Sequence, residues 1–174
     1  AKPSDQTNLI AFYVVELFYK AGVPEHVLQL MPGSGSVIGD ALTKHNQVAG
    51  VIFTGSTEVA GQINRNLASK AYESVLIAET GGQNTMIVDS TALPEQVVGD
   101  VITSGFDSSG QRCSALRVLY LQADIADKII HMLTGAMDEL YVGNPCLLST
   151  DIGPVIDARA QAGLLEHIEK MKER

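Results

Sequence analysis

A thiol can act as a nucleophile when it sits where a substrate can reach it and where backbone N–H groups can meet a developing negative charge. Gly110-Gln111-Arg112-Cys113-Ser114 meets that description, because Cys113 lies between a polar, glycine-containing loop and the apolar run from Arg117 to Gln122. Arg112 adds a neighbouring positive charge. The competing reading of Cys113 is a small buried hydrophobe, the common fate of a free cysteine. A second candidate is Glu79, which ends the apolar run Val75-Leu76-Ile77-Ala78 and is followed at once by Thr80-Gly81-Gly82. A partly buried carboxylate at the end of a parallel strand faces the crevice where such sheets bind ligands, and it has the placement of a general base. Otherwise it is a helix cap or a salt-bridged strand end.

Gly55-Ser56-Thr57-Glu58 follows the strand ending at Thr54 and opens a helix. Free N–H groups, the helix dipole and two hydroxyls suit an anion such as a pyrophosphate, while the plainer reading is a helix capped by Ser56 or Thr57. Gly33, Gly35 and Gly39 lack the spacing of a dinucleotide fingerprint. His26, His45, His131 and His167 have no mutual metal-ligand spacing, and no metal site is expected. Cys146, beside Pro145, reads as packing.

The elements that must position these residues alternate. Apolar residues at helical spacing from Thr7 to Ala21 predict a helix stopped by Gly22 and Pro24. Val27 to Met31 is expected as a strand, Val37 to Lys44 as a short helix, and Val48 to Thr54 as a second strand. A helix over Val59 to Ser69 and a strand over Ser74 to Glu79 repeat the unit. After the break at Gly81-Gly82 come a strand from Thr85 to Asp89, a helix from Pro94 to Gly105 and a strand from Arg117 to Gln122. A helix capped by Asp124 then runs to about Leu140, and another starts near Ala158. Alternation of this kind predicts an α/β fold with parallel sheets.

The 174 residues, with 45% hydrophobic and 18% charged, belong to the globular class. A formal net charge of −8 without any Lys/Arg run disfavours nucleic acid and anionic membranes as partners. Two cysteines cannot build a disulfide framework, so free thiols and a reducing cytoplasm are expected. No stretch has the length of a membrane span or the pattern of a signal peptide.

Taken in order, Lys2-Pro3-Ser4-Asp5-Gln6-Thr7, Phe53-Thr54-Gly55-Ser56-Thr57-Glu58, Glu79-Thr80-Gly81-Gly82-Gln83-Asn84 and Gly110-Gln111-Arg112-Cys113 resemble the aldehyde dehydrogenase superfamily. The 34-residue step from Glu79 to Cys113 matches the family's spacing of base and nucleophile, and Val142-Gly143-Asn144-Pro145 and Ile152-Gly153-Pro154 extend the resemblance. It covers essentially the whole chain. The resemblance implies an incomplete piece of a longer enzyme, with residues 1–81 in a Rossmann-like NAD-binding domain and residues 82–174 in the first part of an α/β catalytic domain. It implies that Cys113 attacks the aldehyde carbon and that Glu79 activates the water that hydrolyses the resulting thioester. Lys2 and Asp5 are similar to the pair that holds the adenosine ribose, Ser56 to a pyrophosphate contact, and Gly55 to the residue that lets the backbone approach the cofactor. An acid at position 5 favours NAD over NADP, although the family usually has a glutamate there. Ala60 departs from the second glycine many members carry.

Within the superfamily, the stretch from Ser104 to Leu119 resembles the glutamate-semialdehyde (pyrroline-5-carboxylate) dehydrogenases, among them the dehydrogenase part of the bifunctional proline utilisation proteins. Ser114 then corresponds to a serine that binds the substrate carboxylate. The family's oxyanion asparagine and second cofactor glutamate fall outside the chain, as does its dimerisation arm, so the parent enzyme is expected to be a homo-oligomer. Three rivals stand beside this reading: a dehydrogenase of succinate semialdehyde or a simple aldehyde, a non-catalytic structural or binding relative, and a redox thiol module. Cys113 and Glu79 together oppose the second, and the lack of a resolving cysteine near Cys113 opposes the third.

Overall fold

Two βαβ units carry the chain, described by a computed structural model over residues 1–70 and 73–173. Contacts divide it into two compact units, Ala1–Thr80 and Gly81–Arg174. In the first, helix α1 (Asn8–Lys20) precedes a π-helical turn (Gly35–Gly39) that runs directly into α2 (Asp40–Lys44). Strand β1 (Gly50–Gly55), helix α3 (Thr57–Ala68) and strand β2 (Val75–Thr80) follow. β1 and β2 pair in parallel, with Gly50 opposite Val75 and Thr54 opposite Glu79. Two parallel neighbours need a crossover between them, and α3 supplies it.

Val27–Met31 is not a strand, contrary to its apolar run. Val27 and Leu28 donate their N–H groups back to the Pro24 carbonyl, which closes a turn. Among the described residues the backbone-to-backbone bonds beyond the turn go to Ala1: the Met31 N–H donates to the Ala1 carbonyl, and the Ala1 amino group donates to the Gln29 carbonyl. One residue of pairing does not make a ladder.

Ala60, Ile63 and Leu67 give α3 a buried stripe. Asn66 lies on the same helix and is also buried, and its polar atoms are all engaged. Its Nδ2 donates to Asp40 Oδ1 (2.9 Å) and Thr43 Oγ1 (2.8 Å), while its Oδ1 accepts from Gln62 Nε2 (2.9 Å). Satisfying a buried amide in this way ties α2 to α3 without an unpaired polar group. Lys44 Nζ contacts the other Asp40 oxygen at 2.6 Å. The Lys44 and Asn66 hydrogen bonds hold the Asp40 carboxyl below the usual aspartate range. A group whose folded pKa is depressed stabilises the fold above its unfolded pKa, about 3.9, and loses that contribution as pH falls through the lower folded value. Asp40→Asn is therefore expected to flatten the decline of stability below about pH 4 relative to wild type. Urea midpoints measured across that range check it, and parallel declines would remove Asp40 as a source of acid sensitivity.

In the second unit β3 (Thr85–Val88) and β4 (Val118–Leu121) pair in parallel, with Thr85 opposite Val118 and Val88 opposite Leu121. Helices α4 (Pro94–Phe106) and α5 (Ala123–Asp138) pack around them. Proline at its start gives α4 a φ already suited to a helix. The core joins Val88 with Val97, Val98 and Val101 of α4 and the fully buried Ile129 of α5. The cap of α5 is Gln122, not Asp124, which falls inside the first turn, where a carboxylate still favours the helix dipole. Helix α6 (Ala158–Lys172) is capped by Asp157, whose Oδ1 accepts from the Ala160 N–H at 2.8 Å.

Candidate active site

The loop that carries Cys113 is built from its flanks inward. After α4 the chain enters a left-handed turn in which Ser108, Ser109 and Gly110 have φ of 56°, 55° and 66°. Serines in that region cost about 1–3 kcal/mol each and persist only where neighbours over-determine them. The neighbours are present. Ser109 Oγ donates to the Gly153 carbonyl at 2.6 Å, Gln111 Nε2 donates to the Ser108 carbonyl at 3.0 Å, and the Ile156 N–H donates to Gln111 Oε1 at 2.7 Å. At Gly110 a side chain would be strained by the positive φ and would meet the Gly105 carbonyl, which a Cβ would approach to 2.9 Å.

Cys113 and Ser114 then form the two central positions of a tight turn closed by the Ala115 N–H donating to the Arg112 carbonyl (3.2 Å). Both are exposed, whereas Ala115 is 1% exposed and roots the turn. The thiol is thus free and accessible, not a buried hydrophobe. The Arg112 guanidinium is spent on the loop itself, donating to the Thr103 carbonyl (3.1 Å) and lying 3.8 Å from the Asp107 carboxylate. Among the described residues no group hydrogen-bonds the Ser114 hydroxyl.

The first unit holds the other candidates. Glu79 is the fifth of the six residues of β2 and is exposed within that unit, not partly buried as its position after an apolar run suggested. Ser56 caps α3, its Oγ accepting from the Val59 N–H at 3.2 Å. That bond uses an oxygen lone pair and leaves the hydroxyl hydrogen for an acceptor beyond the helix start, where the first backbone N–H groups also point. Gly55 has a packing reason of its own, since a Cβ there would run into the Phe53 ring. Lys2 and Asp5 meet at 3.1 Å, and Lys2 Nζ also donates to the Pro3 carbonyl at 2.6 Å. With Lys2 side-chain exposure at 19% and Asp5 at 56%, this is an oriented donor beside an accessible acceptor.

The aldehyde dehydrogenase family model matches residues 1–174. The chain belongs to the aldehyde dehydrogenase family. Among its relatives it is 56% identical over 178 residues to the bifunctional protein PutA of Escherichia coli, which covers all of this chain and 14% of that protein. It is 36% identical over 176 residues to the 1-pyrroline-5-carboxylate dehydrogenase of Anoxybacillus flavithermus, covering 99% of this chain and 34% of that one. A crystal structure of a Bradyrhizobium japonicum proline utilization A variant superposes with a TM-score of 0.96 at 54% identity, over all of this chain and 18% of that one. The chain therefore spans about a seventh of the PutA sequences it matches and about a third of the monofunctional dehydrogenase.

Within this aldehyde dehydrogenase chain, Asn84 and Arg117 hold the cysteine turn although their residue types did not mark them for it. Asn84 stands at the start of the second unit and was legible only as the last letter of a motif, yet its side chain and backbone bind both sides of the cysteine turn. Arg117 Nη2 donates to the Gly110 carbonyl (2.8 Å) and the Arg112 carbonyl (3.3 Å). The signal available in the sequence was weak: an amide and a guanidinium at the borders of strands, with no pattern linking them. Ile152-Gly153-Pro154 likewise acquires a job, since the Gly153 carbonyl anchors Ser109. Among the described residues no helix is long and apolar enough to cross a membrane.

Proposed function

We propose that this chain forms part of a longer cytoplasmic enzyme that oxidises L-glutamate γ-semialdehyde to glutamate with NAD, in proline catabolism. The observation that carries the reading is the exposed Cys113 at the apex of a turn whose Arg112, Cys113 and Ala115 carbonyls are tied back, in a chain 56% identical to bifunctional PutA proteins. Cys113 Sγ forms a bond to the aldehyde carbon, and its thioester is the product of oxidation. Glu79 takes a proton from the water that attacks that thioester, releasing the carboxylate and restoring the thiol. Ser114 donates its hydroxyl to the carboxylate at the far end of the substrate, which agrees with a hydroxyl that no described residue engages.

The residues of the first unit fit a dinucleotide. Lys2 and Asp5 offer a donor and an acceptor side by side, as a ribose diol requires, and Asp5 would repel a 2′-phosphate. Ser56 and the α3 N-terminus suit a pyrophosphate. NAD, when bound, supplies the hydride acceptor. Residues 1–81 are accordingly read as part of the NAD-binding domain and residues 82–174 as part of the catalytic domain.

The test is NADH formation by the full-length protein with glutamate semialdehyde, succinate semialdehyde and propionaldehyde compared under one set of conditions. A clear kcat/KM preference for glutamate semialdehyde is expected, and preference for either of the others would overturn the assignment. Asp5→Asn keeps the shape but removes the charge. It is expected to raise KM for NAD by about tenfold, the worth of one charge-assisted hydrogen bond, with kcat little changed. An unaltered KM would exclude Asp5 from the cofactor site.

A further inference from the structure

We infer that Asn84 is the positioning residue that aims the backbone N–H groups of Cys113 and Ser114 at the oxygen of a carbonyl attacked by the thiol. The inference rests on Cys113 being the nucleophile. Asn84 Nδ2 donates to the Cys113 carbonyl at 2.6 Å and to the Ala115 carbonyl at 2.9 Å. The main-chain carbonyl of Asn84 in turn accepts the N–H groups of Arg117 (2.9 Å) and Val118 (3.1 Å), so the clamp is itself fixed to the first residue of β4. Four hydrogen bonds across about thirty residues of sequence converge on one amide residue.

The consequence follows from peptide geometry. In a planar trans peptide the C=O of one residue and the N–H of the next point in opposite directions. The Cys113 carbonyl turned towards Asn84 sends the Ser114 N–H the other way. The Arg112 carbonyl turned towards the Ala115 N–H and Arg117 Nη2 does the same for the Cys113 N–H. Among the described residues neither N–H has an acceptor, and both lie on the exposed turn that carries the thiol. Two donors fixed beside a nucleophile are what a tetrahedral oxyanion needs, and their value depends on being held before charge develops. A serine or alanine at position 84 would leave the turn free to rotate its peptide units.

The expected signature separates aim from access. With p-nitrophenyl acetate, the Cys113 thiolate adds to the ester carbonyl, the oxyanion collapses to an S-acetyl enzyme, and p-nitrophenolate leaves. Alkylation by iodoacetamide displaces iodide at a saturated carbon and forms no oxyanion. In the full-length protein, with the reagent bound at Cys113 located by peptide mapping, Asn84→Ala is expected to slow the p-nitrophenolate burst by about tenfold. Iodoacetamide alkylation of Cys113 should stay within about twofold of wild type. Asn84→Asp, equal in size but unable to donate as a carboxylate, should match Asn84→Ala. Equal slowing of both reactions in both variants, or slowing of neither, would overturn the inference. Neither reagent requires NAD or a semialdehyde. Loss of the semialdehyde activity alone would therefore sink the proposed function while leaving this one standing.

Discussion

Cys113→Ala in the full-length protein is expected to abolish aldehyde oxidation, and Glu79→Gln to separate the reaction into a fast phase and a slow one. Removing a nucleophile leaves no covalent route, and losses on the order of a millionfold in kcat are typical of such a change. Glu79→Gln leaves the thiol in place, so oxidation of the first equivalent of substrate should proceed. Hydrolysis of the thioester should then limit turnover, because glutamine cannot take a proton from water. Rapid mixing should show a burst of about one NADH per site followed by a steady state slower by roughly 10²–10⁴-fold, the usual contribution of a positioned base. A steady-state rate equal to wild type would remove Glu79 from the role of base. Full activity in Cys113→Ala would end the cysteine mechanism altogether.

Ser114→Ala should distinguish substrates rather than disable the enzyme. The hydroxyl is exposed, sits next to Cys113 in the same turn and has no partner among the described residues. Losing a hydrogen bond to a charged group costs about 1.5–3 kcal/mol, which lowers kcat/KM for glutamate semialdehyde by roughly ten- to a hundredfold. Propionaldehyde has no carboxylate and should lose little. If both substrates suffer equally, Ser114 supports the turn and not the substrate, and the preference for a semialdehyde must be explained by other residues.

Local pattern reaches some elements of this chain and stops short of others. Helices α1, α3 and α4 were legible from apolar spacing, Gly22 and Pro94, because a helix satisfies its hydrogen bonds from its own sequence. The parallel pairings were legible from strand–helix–strand alternation, since two parallel strands cannot be joined by a tight turn. Val27–Met31 failed for the complementary reason. A strand exists only if another backbone lies beside it, and an apolar run says nothing about whether one does.

Membership in the aldehyde dehydrogenase family is likewise written in four short motifs, in order and at the family's spacing. What those motifs could not contain is how the cysteine turn is held. Asn84 reaches Cys113 across 29 positions and Ser109 reaches Gly153 across 44, and both bonds end on backbone carbonyls, which every residue has. A carbonyl acceptor leaves no trace in residue type, so no reading of letters could have paired them. Sequence determined which residues are candidates for chemistry; the tertiary structure decided which way the backbone around Cys113 points, because direction is set by hydrogen bonds between segments that only folding brings together.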